Sequence, residues 1–157
     1  IVPYPRFLNE ERTLVDYPNP ELVGGGTSAN TAVALAKLGL PVSFLGTIGD
    51  DQYGKYIQKD FAEQGVDTTD LIVDPALNTV GVFAFIDENG ERYLWGWPRV
   101  DQAFKVLERD KVPFEKIEAA DWVHSSGMSL VYDTSARTEI IEIFKKQTKQ
   151  EYQLLLI

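Results

Sequence analysis

Gly24-Gly25-Gly26-Thr27-Ser28-Ala29-Asn30-Thr31-Ala32 is a run of glycines that leads directly into an alanine-rich apolar helix. Glycine lets the backbone turn sharply and approach a ligand closely. A helix start adds unpaired N–H donors and the positive end of the helix dipole, and Asn30 adds an amide that both donates and accepts. The stretch therefore predicts either a site for a polar or anionic small molecule or a plain tight turn into a buried helix.

Strands and helices alternate along the rest of the chain. Helices are predicted over residues 28–38, from the Gly49-Asp50-Asp51 turn to residue 64, and over 114–120 and 134–147, with Gly39 and Gly65 closing the first two. Strands are predicted over 42–45, 71–73, 80–86, 92–97 and 122–125, with Asn89-Gly90 marking a hairpin. This order is typical of an α/β fold whose parallel sheet is flanked by helices, with the hairpin as an antiparallel addition.

Composition narrows the classes of function. The 157 residues are 44% hydrophobic and carry a net charge of −9, which argues against nucleic acid or an anionic membrane surface as a partner. With no cysteine there are no disulfides or thiolate sites, as expected of a cytoplasmic protein. The sequence has neither a bilayer-spanning apolar run nor a signal-peptide pattern.

The two ends of the sequence suggest that it belongs to a longer polypeptide. It begins at Ile1 rather than at methionine, and it stops at Leu154-Leu155-Leu156-Ile157, inside a predicted buried strand. We expect residues 1–157 to form a single partial domain.

A series of spaced motifs resembles the N-terminal, substrate-binding half of the ribokinase-like (PfkB) carbohydrate kinases. The motifs are, in order, Gly25-Gly26 with Asn30, Ala32, Gly39, Gly49-Asp50-Asp51 with Gly54, Gly65-Val66-Asp67-Thr68, Thr79, Gly90-Glu91-Arg92, and Asp121-Trp122-Val123-His124 before Ser125-Ser126-Gly127. The resemblance implies transfer of the ATP γ-phosphate to a hydroxyl of a small sugar or sugar acid, assisted by Mg²⁺, as in a fructokinase, a ribokinase or a 2-keto-3-deoxygluconate kinase. It also implies a ribokinase-like α/β core with a small β-sheet lid, here residues 1–6 and 80–97.

The resemblance also implies which residues bind the sugar. They are Gly25, Gly26, Thr27 and Asn30 in the glycine-rich stretch, and Val82 and Ala84 on the first strand of the hairpin. Phe83 and Phe85 have the opposite parity on that strand and are predicted to face away from the sugar.

Trp97 and Arg99 are further candidates near the mouth of the predicted pocket. Trp95 and Trp97 alternate on one strand, so they share a face on which a sugar ring can stack or against which the lid can pack. Arg99 is either a ligand for a carboxylate or phosphate or a solvated surface residue. His124 lies on an apolar strand and is predicted to be a packed structural residue.

The sequence departs from the family pattern in its C-terminal part. The Asp-x-Asn-x-Arg segment expected after the last helix is not matched by residues 147–152, and the Gly-Ala-Gly-Asp element with the catalytic aspartate base does not occur. We therefore expect no catalytic residue and no metal ligand in this chain, and no ATP-binding half. The Asp50-Asp51 pair is interpreted as a helix cap.

Two other functions fit parts of the sequence. Gly24-x-Gly26-x-x-Ala29 with Asp50 downstream matches a variant dinucleotide-binding loop, which favours an NAD-dependent oxidoreductase. Against it, only residues 21–23 separate the loop from Pro20, which leaves little room for the strand that must precede it. Open lid edges favour a third possibility, a non-catalytic sugar-binding fragment that forms a homodimer through the lid.

Overall fold

The computed structural model describes residues 20–86, 89–98 and 100–147, together with the backbone of residues 155–156. Four α-helices, three short 3-10 helices and six strands lie in these ranges. In chain order the α-helices and strands are α1 (Thr27–Lys37), β1 (Gly46–Gly49), α2 (Gln52–Glu63), β2 (Leu71–Asp74), β3 (Gly81–Ile86), β4 (Arg92–Trp97), α3 (Phe114–Glu118), β5 (His124–Ser125), α4 (Ser135–Gln147) and β6 (Leu155–Leu156).

Strands β1 and β2 pair in parallel, with α2 as the connection between them. Gly46 is paired with Leu71 and Ile48 with Val73. Adjacent residues of a strand point to opposite faces, so Leu71 and Ile72 take part in two different cores. Leu71 belongs to a core shared with α1 and α2, and Ile72 packs against one shared with α3 and α4. Helices therefore cover both faces of this sheet, as the strand–helix alternation predicts.

The first core lies between the sheet and helices α1 and α2. Its buried members are Ala32, Ile48, Phe61, Val66 and Leu71, and Phe44 packs against them with its ring 4.8 Å from that of Phe61. The second core lies on the other face, with Leu107, Val112, Ala136 and Ile143 buried.

Strands β3 and β4 form the antiparallel hairpin, and β5 and β6 form a second parallel pair. In the hairpin, Val82 is paired with Gly96, Ala84 with Leu94 and Phe83 with Trp95. The β5–β6 pairing joins His124 to Leu155 and Ser125 to Leu156, which agrees with the strand predicted at the end of the sequence.

One strand lies further along the chain than predicted. Residues 42–45 were expected to form a strand, but the ladder with β2 begins at Gly46, and Ser43 makes only an isolated parallel bridge to Asp67. The apolar residues Val42 and Phe44 are partly buried against the first core, so their hydrophobicity reflects packing rather than ladder pairing. The strand predicted over residues 1–6 and part of the hairpin turn, residues 87–88, lie outside the described residues.

Candidate functional site: a glycine loop and a hairpin beside helix α2

The glycine loop, residues Gly24–Gly26, leads into α1 as predicted. Gly26 has φ 102°, a conformation in which glycine meets no steric penalty, and its carbonyl accepts a 2.8 Å hydrogen bond from the N–H of Asn30. The first N–H groups of a helix lack intrahelical acceptors, and among the described residues no side chain caps the start of α1. The loop, Thr27 and Asn30 are exposed. The helix start can thus offer both backbone donors and an amide side chain to a polar ligand.

Helix α2 holds the glycine loop from one side. The hydroxyl of Tyr56 donates a 3.1 Å hydrogen bond to the carbonyl of Leu22. Gly24 lies against Asp60, and a Cβ at Gly24 would collide with the Oδ2 atom of that carboxylate. The loop position therefore depends on side chains of α2.

Asp51 caps α2 and also contacts the residue that leads into the hairpin. Its Oδ1 accepts from the N–H groups of Tyr53 (3.0 Å) and Gly54 (2.8 Å), and its Oδ2 accepts from the N–H of Thr79 (2.8 Å). Burial alone raises the pKa of Asp51, but the hydrogen bonds from Gly54, Thr79 and Tyr53 together outweigh it and lower the pKa. The interpretation of this aspartate as a helix cap is confirmed.

The register of the hairpin divides the predicted site residues between two faces. Directly paired residues share a face, so Val82 and Ala84 lie with Leu94 and Gly96. Trp97 is paired with Gly81 and lies on the opposite face, with Phe83, Phe85, Tyr93 and Trp95. The structure thus brings Val82 and Ala84 together, and it separates Trp97 from them.

Trp97 contacts helix α2. Its ring meets that of Tyr53 edge-on with the centroids 4.9 Å apart, and Phe83 lies 6.3 Å away on the same face. Of the two possibilities raised by the sequence for Trp97, sugar stacking and lid packing, the geometry favours packing. The sequence pattern did not identify Tyr53 and Tyr56 as residues that contact the hairpin and the chain before the glycine loop. Their three-residue spacing on an amphipathic helix was the available signal, but it does not reveal what the exposed side contacts.

Two further residues considered in the sequence, Arg99 and His124, are not placed at the glycine loop or the hairpin faces by any described contact. Arg99 lies outside the described residues. The ring nitrogens of His124 are buried, and neither has a hydrogen-bond partner in the part of the chain that the structure describes, which agrees with a packed residue rather than an acid or base. Across the same residues no group of three or more His, Cys, Asp or Glu side chains is placed to hold a metal ion. No helix of the described chain has the length and apolar character required to cross a bilayer.

The predicted alternative of a dinucleotide-binding oxidoreductase is not supported by the loop geometry. Such a loop must directly follow a parallel strand. Residues 20–26 form no strand, and Asp50 lies in the turn before α2, where it pairs with Lys55 at 2.9 Å.

Comparison with proteins of known sequence gives a consistent result. The sequence matches the pfkB family carbohydrate kinases over residues 2–156. It is 36% identical over 124 residues to a fructokinase from Vibrio alginolyticus, which covers 78% of this chain and 38% of the relative. It is 34% identical over 157 residues to 5-dehydro-2-deoxygluconokinase from Bacillus subtilis, which covers 98% of this chain and 46% of the relative.

Comparison with solved structures also finds sugar kinases. A fructokinase from Xylella fastidiosa superposes with a TM-score of 0.75 at 26% identity, over 84% of this chain and 42% of that one. A fructokinase from Vibrio cholerae with bound fructose, ADP and calcium gives a TM-score of 0.71 at 25% identity, with the same coverage of 84% and 42%. The chain spans less than half the length of each of these proteins. The predicted fold class is confirmed as part of a ribokinase-like α/β fold, and the chain belongs to the pfkB family of carbohydrate kinases.

Proposed function

We propose that the full-length protein transfers the γ-phosphate of ATP to a hydroxyl of a small sugar or sugar acid, and that residues 1–157 supply its sugar-binding part. The observation that carries this proposal is the exposed start of α1, where the glycine loop and Asn30 present uncapped N–H groups and an amide. A sugar offers many hydroxyl groups, and such an array can bond several of them at once.

Each predicted residue has a role in this proposal. The backbone of Gly25 and Gly26, with Thr27 and Asn30, orients the sugar. The face of the hairpin with Val82 and Ala84 covers it and excludes water, which matters because phosphoryl transfer depends on positioning in a site shielded from solvent. Trp97 anchors the hairpin through Tyr53. Arg99 remains a predicted ligand for the carboxylate of an acidic sugar.

ATP and Mg²⁺ are the proposed co-substrate and its metal ion. A related fructokinase was solved with bound ATP, and another with ADP and calcium. Bound Mg²⁺ would neutralise phosphate charge, but the described residues offer no cluster of acidic ligands, so we assign no metal ligand to them. We further propose a cytoplasmic enzyme that dimerises through the hairpin.

The substrate class is tested with the full-length protein and a panel of acceptors. Relatives of this chain carry the names fructokinase, 5-dehydro-2-deoxygluconokinase and aminoimidazole riboside kinase. Fructose, ribose, 5-dehydro-2-deoxygluconate and aminoimidazole riboside therefore form the panel, with ADP release as the readout. Release of ADP that depends on one acceptor supports the proposal. Binding of a sugar by calorimetry without any consumption of ATP favours the non-catalytic alternative.

Asn30→Ala tests the assignment of the sugar-binding residues. We expect the sugar KM to rise about tenfold or more, because the side chain makes up to two hydrogen bonds of about 1 kcal/mol each, while the midpoint of unfolding stays unchanged for this exposed residue. Gln64→Ala, which removes an amide at the far end of α2, is the matched control and keeps the wild-type KM. An unchanged KM in Asn30→Ala would remove Asn30 from the site.

A further inference from the structure

The turn of the β3–β4 hairpin contains the dipeptide Asn89-Gly90. The ladder ends at the pair Ile86–Arg92, so residues 87–91 form the turn. Asn89 and Gly90 are both exposed, and Gly90 has φ 84°, a conformation that glycine adopts at no steric cost. Among the asparagines of the sequence, only Asn89 is followed by glycine. The turn therefore presents the one asparagine whose next backbone nitrogen has no side chain beside it.

The space around this turn leaves room for a new ring in the backbone. A Cβ at Gly90 would meet nothing within 4 Å among the described residues beyond its chain neighbours. The hairpin is held at its opposite end, where Thr79 donates to the cap of α2 and Trp97 packs against that helix. Exposed loop tips are also the places where a chain best tolerates change. The backbone at Asn89 can therefore rearrange without displacing packed residues.

Two other described asparagines are protected by the residue that follows. Asn30 is exposed, but Thr31 follows it within helix α1, and helical dihedral angles hold the next backbone nitrogen away from the side-chain carbonyl carbon. Asn78 precedes the buried Thr79, whose N–H donates a 2.8 Å hydrogen bond to the carboxylate that caps α2. Both following residues are β-branched, which crowds their nitrogen further. The structure thus distinguishes Asn89 from the other two.

We propose that Asn89 is a site of spontaneous deamidation. The backbone nitrogen of Gly90 gives up its proton and bonds to the side-chain carbonyl carbon of Asn89, while the C–N bond of the amide breaks and ammonia leaves with a proton. Water then adds to one of the two carbonyl carbons of the five-membered imide, the ring C–N bond there breaks, and the nitrogen takes up a proton. The net change is one water gained and one ammonia lost, with no oxidant or reductant.

The direction of ring opening decides what happens to the hairpin. Opening at the side-chain carbonyl gives aspartate, whereas opening at the backbone carbonyl gives isoaspartate, in which the chain runs through the side chain and is one atom longer. Both products add a negative charge to a turn that already contains Asp87, Glu88 and Glu91. Only isoaspartate lengthens the turn and disturbs the adjacent pairs of the ladder. Isoaspartate at Asn89 therefore loosens the turn end of the hairpin and leaves its anchored end in place.

Ageing of the purified full-length protein, followed by peptide mapping, tests the site. We expect the peptide with Asn89 to gain the mass of an amide-to-acid exchange and to accept methyl groups from an isoaspartate methyltransferase, while Asn30 and Asn78 keep their amides. Conversion is faster at mildly alkaline than at neutral pH, because the attacking nitrogen must lose its proton. Asn89→Gln is the matched control and keeps its amide, since its longer side chain would have to close a six-membered ring. An unchanged Asn89, or equal loss of amide at all three asparagines, would overturn the proposal.

Asn89→Asp separates the added charge from the added backbone atom. We expect hydrogen exchange at residues 84–86 and 92–94 to be faster in the aged wild type than in the fresh protein, while fresh Asn89→Asp exchanges like the fresh wild type. Equal exchange in the aged wild type and in Asn89→Asp would overturn the loosening of the turn by isoaspartate. Neither measurement involves a sugar or ATP, so both are independent of the proposed function.

Discussion

At the scale of residues, the turn into α2 is the most tightly constrained part of the described chain. A Cβ at Gly49 would collide with the carbonyl of Leu77 and lie 3.0 Å from the nitrogen of Thr79. Thr79 is itself 2% exposed. The glycines of this turn are thus required by close packing rather than by unusual dihedral angles, since neither Gly49 nor Gly54 has a positive φ.

Gly54→Ala is expected to lower the free energy of unfolding by about 2 kcal/mol or more, because the added methyl group collides with the backbone carbonyl of Gly49. Gly25→Ala is the matched control. A Cβ at Gly25 meets nothing within 4 Å, so its stability stays near that of the wild type. Denaturant unfolding of both variants measures the difference, and equal stability would show that the turn can relax.

Thr79→Val tests the buried hydroxyl. The substitution keeps the shape of the side chain but leaves the N–H of Gly49 without an acceptor, which costs about 1–3 kcal/mol of stability. Thr79→Ser keeps the hydroxyl and loses one methyl group, which lowers the free energy of unfolding by about 1 kcal/mol or less. If urea unfolding shows that Thr79→Ser is less stable than Thr79→Val, this hydrogen bond is not important for stability.

At the scale of elements, the helices were predictable because local signals mark their ends. Gly39 and Gly65 follow α1 and α2 with φ of 85° and 80°, and Asp51 caps α2. Strand β1 was placed too early because its glycines have low strand propensity, whereas the preceding apolar residues look like a strand. Pairing with β2, a tertiary effect, decides the true position.

The hairpin shows how one residue of register changes a functional interpretation. A turn confined to residues 87–90 would pair residue 86 with 91 and place Trp97 on the face of Val82. The observed pairing joins Ile86 to Arg92 and moves Trp97 to the other face. Because side chains alternate along a strand, a shift of one residue exchanges the faces. The sequence pattern alone contains no information that decides between these registers.

The cap of α2 is expected to make stability depend on pH. The pKa of Asp51 is lowered in the folded state from its ordinary value of 3.8. Its contribution to stability is therefore present above that value and is lost as the pH falls below it. Asp51→Asn, which retains a side-chain oxygen but no charge, should show a weaker decline in the free energy of unfolding between about pH 5 and about pH 3. Parallel pH profiles for the two proteins would contradict this.

At the scale of the whole molecule, the two faces of the hairpin both carry exposed apolar side chains. Val82 is 55% exposed on one face, and Phe83 and Trp95 are 53% and 61% exposed on the other. Among the described residues, β3 and β4 pair only with each other. Exposed apolar surface and open strand edges both favour association with another chain.

If the protein dimerises through the hairpin, Trp95→Glu should shift it to the monomer, because the substitution places a charge in the apolar contact. Trp122→Glu is the matched control, since Trp122 is also 61% exposed but lies outside the hairpin. Sedimentation at several concentrations of the full-length protein measures the shift. If both substitutions shift the protein to the monomer, or if neither does, the result argues against dimerisation through the hairpin.

The two oxygens of Asp51 also have a consequence for the order of folding. One oxygen bonds an N–H three residues away, in its own helix, and the other bonds an N–H twenty-eight residues away. The first contact forms with the helix, whereas the second must wait until the intervening chain has closed its loop. The bond from the N–H of Gly49 to the hydroxyl of Thr79 likewise joins residues thirty apart and must wait for the same loop. We expect α2 to be structured in the folding transition state and the hairpin to dock later, so that Thr79→Val, which removes this hydroxyl, mainly speeds unfolding and hardly slows folding. The hairpin, which we propose covers the sugar, would then be the last part to be fixed in folding and the first to be released.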